Sequence, residues 1–364
     1  MNIAIAAGGT GGHIFPGIAL GKQILASNPK VQVVFIGAKG GLETMIVPKY
    51  GFKVLQIEVK KFHRQANREN FLFPLYLMKG IVQTLKTLYR HEIKCLIGCG
   101  GFVTGAAGIG AVLAGIPIFL QEQNSFPGIS TRLLMNFSKA GYLGFPQASQ
   151  YLKHVREKLL FTGNPLREFS YISRDEALKL WKLEDEPILF IYGGSQGSHV
   201  INQTAAEIID ELLQQGIQII FQTGYQDYDR FMKKYSNKKG VVIKPFFDNI
   251  ASVYKISSLA VCRAGALSLS ELAYFGLPAV IIPFPYSAGN HQLKNARYFV
   301  EKKAAKMIVE EELEPKVLLK EILNILHIQR MLEDMRKSMK QLAPVNATRD
   351  IVEDIFQKLR IREA

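Results

Sequence analysis

The chain contains two similar segments, each built from an apolar run, a glycine turn and the start of an amphipathic stretch. The first reads Ile-Ala-Ile-Ala-Ala-Gly-Gly-Thr-Gly-Gly-His from residue 3, and the second reads Ile-Leu-Phe-Ile-Tyr-Gly-Gly-Ser-Gln-Gly-Ser from residue 188. Such a segment predicts a buried parallel strand that turns directly into a helix. Two such openings, separated by about half of the chain, predict two doubly wound α/β domains rather than one large sheet.

Further apolar runs alternate with helical patterns in both halves, which predicts parallel sheets joined by right-handed crossovers. Between the halves, Thr-Gly-Asn-Pro at residues 162–165 is a turn signal that continues neither a helix nor a strand. We therefore predict a first domain over residues 1–163 and a second over residues 164–342. A final helix within residues 345–364 is expected to pack back on the first domain. The predicted strands are residues 3–7, 31–36, 94–97, 116–120, 188–192, 217–222, 241–243, 259–262 and 279–282.

Positive charge is concentrated in the first half of the chain. Residues 1–163 contain 18 Lys or Arg against 6 Asp or Glu, a net charge of +12 out of a total of +14. This asymmetry indicates a polyanionic partner, either nucleic acid or anionic lipid, although a basic surface that only confers solubility is the alternative. No apolar run reaches the roughly 18 residues that a spanning helix needs, and the first seven residues are typical of a strand rather than a signal peptide.

Few residues suggest metal or redox chemistry. Cys95, Cys99 and Cys262 lack the spacing of metal ligands, and we interpret them as buried thiols in a reducing cytosol. Asp227 and Asp229 form an Asp-x-Asp pair that is compatible with Mg²⁺, but their polar surroundings favour an exposed loop. We therefore predict no metal site.

Three glycine-rich turns follow predicted strands, at residues 8–12, 98–105 and 193–197. Ligands of doubly wound sheets bind at the carboxyl ends of strands, where backbone N–H groups and helix N-termini favour a phosphate. Close packing of a helix on a strand also requires glycine, but three equivalent turns favour a phosphate or sugar-phosphate site. None has the Lys-Ser/Thr of a P-loop, and the first lacks the third glycine of the dinucleotide fingerprint. The pattern therefore indicates a nucleotide other than a nicotinamide or flavin.

Seven short motifs along the chain are together more specific than any single glycine turn. They are Gly-Gly-Thr-Gly-Gly-His at 8–13, Gly-Cys-Gly-Gly-Phe-Val-Thr-Gly at 98–105, Glu-Gln-Asn at 122–124, Gly-Asn-Pro at 163–165, Gly-Gly-Ser-Gln-Gly at 193–197, Cys-Arg-Ala-Gly-Ala-Leu-Ser-Leu-Ser-Glu at 262–271 and His-Gln at 291–292. In this order they resemble the MurG family of bacterial N-acetylglucosaminyltransferases over essentially the full length. The first motif alone would indicate only the wider class of GT-B glycosyltransferases.

The resemblance implies a GT-B fold, with two doubly wound Rossmann-like domains facing a cleft, and no metal or other cofactor. The second domain would bind the donor UDP-N-acetylglucosamine (UDP-GlcNAc). The first would bind an undecaprenyl-linked muramoyl-pentapeptide acceptor and dock on the anionic cytoplasmic face of the cell inner membrane. The implied reaction transfers N-acetylglucosamine to the C4 hydroxyl of the muramoyl unit with inversion, and it releases UDP. Other cell-wall enzymes are candidate partners, whereas nucleic acid is not.

The resemblance also implies roles for individual residues on the acceptor side. His13, at the start of a helix whose dipole would keep its imidazole neutral, would accept the proton of the attacking hydroxyl. Glu122 is the rival base, or a group that orients His13 or the acceptor. The other implied substrate-binding residues of the first half are Thr10, Gly11, Gly12 and Asn124.

On the donor side, Glu271 would bind the ribose hydroxyls and the backbone of Phe247 would read the uracil edge. From the residues alone, a single Glu on a helix is usually a solvated position, although the preceding Arg and glycine turn are compatible with a ribose contact. Gln292 would bind the sugar hydroxyls, and backbone N–H groups of residues 194–197 would stabilise the leaving diphosphate. The complete implied donor set is Arg167, Gly194, Ser195, Gln196, Gly197, Phe247, Ala266, Leu267, Ser268, Glu271, His291 and Gln292.

Four positions depart from the family pattern. Gln121 stands where the family often has His, and Phe102 stands where Tyr is common. His291 replaces the second Gln of some members, so its hydrogen bond would depend on pH. Ala264 replaces a Ser, which removes one candidate phosphate contact. These departures affect mainly the acceptor-side assignments.

Two other interpretations remain open at this point. One is a different GT-B enzyme that uses a UDP-sugar and a lipid acceptor, such as a diacylglycerol glycosyltransferase. The other is a nucleic-acid-binding protein without enzymatic activity, which the basic first half suggests. The second leaves all three glycine turns unexplained.

The segment at residues 60–94 is the predicted membrane contact. Its apolar run Phe-Leu-Phe-Pro-Leu-Tyr-Leu-Met at 71–78 is too short to span a bilayer, so it would dip into the headgroup boundary. The alternative is that this run starts a buried helix. The surrounding basic residues are Lys60, Lys61, Arg64, Arg68, Lys79, Lys86, Arg90 and Lys94.

Overall fold

The computed structural model describes residues 1–60 and 71–361. The chain divides into two compact units, Met1–Arg167 together with the C-terminal segment from Asn346, and Glu168–Val345. Each unit contains one parallel sheet with helices around it, so the predicted doubly wound α/β fold class is confirmed.

The first unit is built on a sheet of seven parallel strands. They are β1 (Asn2–Ala6), β2 (Gln32–Ala38), β3 (Lys53–Ile57), β4 (Ile93–Gly98), β5 (Ile118–Glu122), β6 (Ala140–Leu143) and β7 (Leu159–Phe161). Their order across the sheet is β3-β2-β1-β4-β5-β6-β7, so the direction in which strands are added reverses between β1 and β4. A ligand crevice is expected at such a reversal, outside the carboxyl ends of the two strands.

The helices of the first unit cover both faces of this sheet. They are α1 (Gly11–Ser27), α2 (Glu43–Ile46), α3 (Phe73–Arg90), α4 (Gly101–Leu113), α5 (Ile129–Leu134) and, from the C-terminal segment, the helix Ala347–Leu359. Because side chains alternate along a strand, Ile3 and Ile5 of β1 enter the core beside α1, whereas Ala4 and Ala6 enter the core beside α4. Within the described residues, no helix combines the length and apolar character that crossing a membrane requires.

The second unit repeats the architecture with six parallel strands. They are β8 (Ile188–Tyr192), β9 (Gln218–Gln222), β10 (Val241–Lys244), β11 (Leu259–Cys262), β12 (Ala279–Ile281) and β13 (Ala305–Met307), in the order β10-β9-β8-β11-β12-β13. The reversal lies between β8 and β11. The helices are α6 (Arg174–Trp181), α7 (His199–Gln214), α8 (Tyr228–Tyr235), α9 (Ile250–Ile256), α10 (Ala266–Phe275), α11 (His291–Glu301), α12 (Pro315–His327) and α13 (Gln329–Gln341).

The division between the units lies after Arg167, a few residues beyond the position inferred from the turn signal at 162–165. The reason is that Asn164 is fully buried in the first unit, where its amide hydrogen-bonds the Gln121 side chain and the Gln123 carbonyl. The C-terminal helix Ala347–Leu359, α14, packs against α1, and its Asp354 accepts a hydrogen bond of 2.6 Å from the Tyr142 hydroxyl.

Candidate active site

The first glycine turn, at residues 8–12, wraps around a buried carboxylate of the protein itself. Glu43 is fully buried, and its two oxygens accept hydrogen bonds from the backbone N–H groups of Ala38 (2.6 Å) and Gly9 (3.2 Å). A Cβ at Gly8 or Gly41 would lie 2.5–2.6 Å from a Glu43 carboxylate oxygen. These glycines therefore make room for Glu43, which the sequence analysis did not identify.

The second glycine turn makes room for the His13 ring. Gly100 and Gly101 have φ angles of +93° and +80°, and a Cβ on Gly100 would lie 2.7 Å from His13 Nδ1. A Cβ on Gly101 would lie 2.4 Å from the carbonyl oxygen of Gly8. Glycine is thus required at both positions by backbone conformation and by close approach. The structure brings the first two glycine turns together, on the two sides of the reversal between β1 and β4.

His13 lies in the first turn of α1, is partly exposed, and has one ring nitrogen in contact with a buried side chain. Its Nδ1 is 2.9 Å from Oε1 of Gln123, which follows β5. Gln123 belongs to the Glu-Gln-Asn motif, but the sequence analysis assigned roles only to the residues on either side of it. The motif itself was the available signal.

Glu122, the rival base, has both carboxylate oxygens occupied. One oxygen accepts from the backbone N–H (3.0 Å) and side-chain amide (3.3 Å) of Asn124. The other accepts from Gly128 N–H (2.9 Å) and the Thr131 hydroxyl (2.7 Å). Glu122 is 3% exposed. This carboxylate therefore shapes the loop from residue 124 to residue 128, and Asn124 is held by it.

The remaining predicted residues of the first unit lie near the start of α1. Thr10 precedes this helix, Thr10 and Gly12 are exposed, and Gly11 is partly exposed. Arg167, predicted to lie on the donor side, belongs to the first unit, and its guanidinium lies 5.5 Å from the centre of the Phe15 ring of α1. This contact is a cation–π interaction.

The third glycine turn, in the second unit, has one glycine that faces open space. Gly193 and Gly197 are confined by the backbone, because a Cβ would lie 2.2 Å from Ser198 N or Thr223 O, respectively. Gly194 has φ +89° and no atom within 4 Å of the position of a Cβ. Exposed Ser195 and Gln196 follow it, and α7 begins directly after the turn. This turn has the features of a phosphate cradle.

Gln222 connects this turn to the predicted uracil-reading position, and the sequence analysis missed it. Its Nε2 donates to the Gly194 carbonyl (3.1 Å), and its Oε1 accepts from the Phe247 N–H (3.1 Å). Phe247 is buried, with its ring packed edge-on against Trp181 and Phe190. The N–H of Phe247 is thus bonded within the protein in this structure.

Glu271 lies on α10, on the other side of the reversal between β8 and β11. It is only 8% exposed, and its Oε2 accepts a hydrogen bond of 2.9 Å from the Tyr254 hydroxyl. The solvated helix position considered for Glu271 is therefore wrong. Three further predicted residues form the first turn of this helix: Ala266, Leu267 and Ser268.

Gln292 and His291 begin α11. Gln292 Oε1 accepts from the backbone N–H groups of Ala264 (3.2 Å) and Phe284 (2.9 Å), so it joins the loops that follow β11 and β12. His291 Nδ1 lies 2.9 Å from the Ala288 carbonyl. Although Ala264 lacks the hydroxyl of a Ser, its backbone N–H still donates a hydrogen bond to Gln292.

The three cysteines lie in the core of the protein. All three thiols are buried and free, and burial raises the pKa of Cys99 and Cys262 to about 12.

Asp227 of the Asp-x-Asp pair is not an exposed loop residue. Its carboxylate accepts a hydrogen bond from the Asn202 side-chain amide (2.8 Å) and lies 2.9 Å from His199 Nδ1. That expectation was wrong because the long-range contact to α7 is not visible in the local sequence.

Comparison with known proteins identifies the family. Residues 3–142 match the glycosyltransferase family 28 N-terminal domain, and residues 188–355 match the glycosyltransferase family 28 C-terminal domain. Proteins of Acetivibrio thermocellus and Flavobacterium psychrophilum are each 36% identical to this chain. The alignments cover 98% and 97% of this chain and 99% and 96% of those proteins. Both are UDP-N-acetylglucosamine--N-acetylmuramyl-(pentapeptide) pyrophosphoryl-undecaprenol N-acetylglucosamine transferases.

A solved structure supports the same conclusion. The crystal structure of Acinetobacter baumannii MurG is 26% identical, with a TM-score of 0.77 over 98% of this chain and 99% of that one. It confirms the predicted GT-B fold, and the family matches confirm that the protein is a glycosyltransferase. These relatives give no support to the alternative of another lipid-acceptor enzyme. The chain belongs to glycosyltransferase family 28, and within it to the MurG family of N-acetylglucosaminyltransferases.

Proposed function

We propose that this protein transfers N-acetylglucosamine from UDP-GlcNAc to the C4 hydroxyl of the muramoyl unit of undecaprenyl-pyrophosphoryl-MurNAc-pentapeptide. This converts lipid I to lipid II in peptidoglycan synthesis and releases UDP. The observation that carries the proposal is the 36% identity, over nearly the whole of both chains, to transferases of that name. Inversion at the sugar requires one base for the acceptor proton and a separate stabiliser for the leaving diphosphate.

The second unit would bind the donor at the reversal between β8 and β11. The open turn around Gly194, at the N-terminus of α7, presents backbone N–H groups to the diphosphate. Glu271, held by Tyr254, accepts from the ribose diol. In this proposal the diphosphate charge is stabilised by fixed protein dipoles, and no metal or other cofactor takes part.

For the base we propose His13. Both oxygens of Glu122 already accept hydrogen bonds from the protein, so taking a proton there would disrupt the loop that they organise. His13 has one ring nitrogen bonded to Gln123 and a partly exposed ring. A proton acceptor needs such an accessible lone pair.

The test is incubation with UDP-GlcNAc and the lipid-linked muramoyl-pentapeptide, with UDP release and product formation as readouts. UDP-glucose is the matched donor control. We expect turnover only with UDP-GlcNAc, and His13→Ala should lower kcat by about 10²–10⁴-fold with UDP binding retained. No product from the authentic pair would contradict the proposed reaction. Loss of turnover in folded Glu122→Gln, with activity kept in His13→Ala, would move the base to Glu122.

We also propose that the first unit docks peripherally on the anionic cytoplasmic surface of the cell inner membrane through α3. This helix packs on α4 by its buried face, while its Leu75 and Met78 are 63% and 65% exposed and Phe71, two residues before the helix, is 88% exposed. The alternative of a buried helix start does not fit these exposures. Exposed Lys86 and Arg90 lie on the same helix. Lys61, Arg64 and Arg68 of the predicted contact lie outside the described residues.

Sedimentation with phosphatidylglycerol or phosphatidylcholine vesicles tests this docking. Each basic side chain near an anionic surface contributes about 1 kcal/mol, screened over roughly 8 Å at physiological salt. We expect binding to the anionic vesicles that weakens with salt and falls when Phe71, Leu75 and Met78 become Ser. The matched control changes three exposed apolar residues of the second unit to Ser: Leu180, Val317 and Ile328. Equal binding to both vesicles, unaffected by the variant in which Phe71, Leu75 and Met78 become Ser, would refute the proposal.

We also propose other cell-wall enzymes as candidate partners of the protein at the membrane surface.

A further inference from the structure

A chain of three buried side-chain amides ends at the ring of His13. Gln121, Gln123 and Asn164 are each at most 2% exposed, so each amide must be oriented to satisfy its neighbours without help from solvent. The orientation of each amide can be determined from the backbone carbonyls that it contacts, because a carbonyl oxygen accepts hydrogen bonds and never donates.

The first fixed point is the carbonyl of Cys99, the residue directly after β4. Gln123 Nε2 lies 2.8 Å from this oxygen, so the amide nitrogen must point there. The amide oxygen of Gln123 then points to His13, at 2.9 Å from Nδ1.

A second fixed point gives the same orientation independently. Asn164 Nδ2 donates to the backbone carbonyl of Gln123 (3.0 Å), which turns Asn164 Oδ1 toward the Gln121 amide nitrogen (3.1 Å). Gln121 Oε1 consequently faces Gln123 Nε2 and accepts from it. Reversing the Gln123 amide would place its oxygen against three other oxygens: the carbonyls of Cys99 and Gln121 and the side-chain Oε1 of Gln121.

We infer that this amide chain fixes neutral His13 in the tautomer protonated at Nδ1, which leaves Nε2 as the atom that accepts a proton. Gln123 Oε1 only accepts, so Nδ1 must carry the hydrogen, and in a neutral imidazole the other nitrogen then has the lone pair. Gln123 is thus a positioning residue that acts through His13. Asn164 and Gln121 act on His13 only through their hydrogen bonds to each other and to Gln123.

The consequence for catalysis rests on the proposed role of His13 as the base, whereas the tautomer itself does not. The test is nitrogen NMR of histidine-labelled full-length protein at alkaline pH. The His13 signal is assigned, among the seven histidines, by its loss in His13→Ala. We expect a single tautomer with hydrogen on Nδ1 in the native protein. In Gln123→Met, we expect a mixture of both tautomers.

Kinetics of the same variants separate positioning from a general loss of structure. Gln123→Met should lower kcat about 10- to 100-fold, which is less than the roughly 10²–10⁴-fold that loss of the base itself would cause, while the affinity for UDP changes less than about twofold. Gln218→Met is the matched control, because Gln218 is also buried and bonded to backbone, by its contacts with Glu184. We expect it to leave kcat and the tautomer unchanged.

A native His13 with hydrogen on Nε2 would overturn the inference, whether or not any variant folds. A lower kcat in Gln123→Met with an unchanged tautomer would also overturn it, because the loss would then be structural. If His13→Ala keeps full activity, the base of the proposed function fails, and the tautomer measurement still decides the inference.

Discussion

Replacing Glu271 by Ala should weaken UDP binding because the ribose hydroxyls lose their acceptor, while the other contacts of UDP are kept. The carboxylate is 8% exposed and is oriented by the Tyr254 hydroxyl at 2.9 Å, so its bonds to a diol would form in a largely dehydrated environment. A hydrogen bond to a charged group contributes about 1.5–3 kcal/mol, which corresponds to a loss of affinity of roughly 10- to 150-fold. Because the side chain is so little exposed, we expect the upper part of that range.

Calorimetric titration with UDP and with 2′,3′-dideoxy-UDP isolates the ribose contribution. The native protein should prefer UDP, and Glu271→Ala should bind the two ligands almost equally. Tyr254→Phe should lose about 0.5–1.5 kcal/mol of that preference, because it removes one hydrogen bond that orients the carboxylate. Glu207→Ala, at an exposed position of α7, is the matched control. Native UDP affinity in folded Glu271→Ala, or an undiminished preference for UDP, would refute the assignment.

Three further outcomes follow, two from the buried thiols and one from the conformation of a glycine. Burial raises the pKa of Cys99 and Cys262 to about 12, and Cys95 is equally buried, so a disulfide thiol reagent at pH 7.5 should label none of them before unfolding and all three afterwards. The same thiols ionise more easily in the unfolded chain, near pH 8.5, so the free energy of unfolding should decline as pH rises from there toward 12; constant urea midpoints would contradict this. Gly101→Ala, with φ +80° and a Cβ 2.4 Å from the Gly8 carbonyl, should lose at least about 1–3 kcal/mol of stability, measured by urea unfolding; a native midpoint would disprove the requirement for glycine.

The central strands of both sheets were predictable from local sequence, and four other strands were not. Residues 3–7 and 188–192 are continuous apolar runs because β1 and β8 are covered on both faces. The strands missed are β3, β6, β7 and β13. At the sheet edges, β3 exposes Lys53 and Gln56, and β7 and β13 have only three residues each. Such segments contain too few buried side chains to give the pattern of apolar residues from which a strand is predicted.

The sequence by itself determined the family, the two doubly wound units and the presence of glycine turns at strand ends, because these depend on local patterns of apolar residues and glycine. Tertiary structure decided what each turn does. Gly8 makes room for Glu43 and Gly100 makes room for His13, whereas Gly194, alone among the glycines of the three turns, has no atom within 4 Å of the position of a Cβ. The partners responsible come from distant parts of the chain: His13 and Gln123 are 110 residues apart. Local sequence cannot distinguish a glycine that approaches a ligand from one that approaches its own protein, since the choice depends on which long-range neighbour occupies the space.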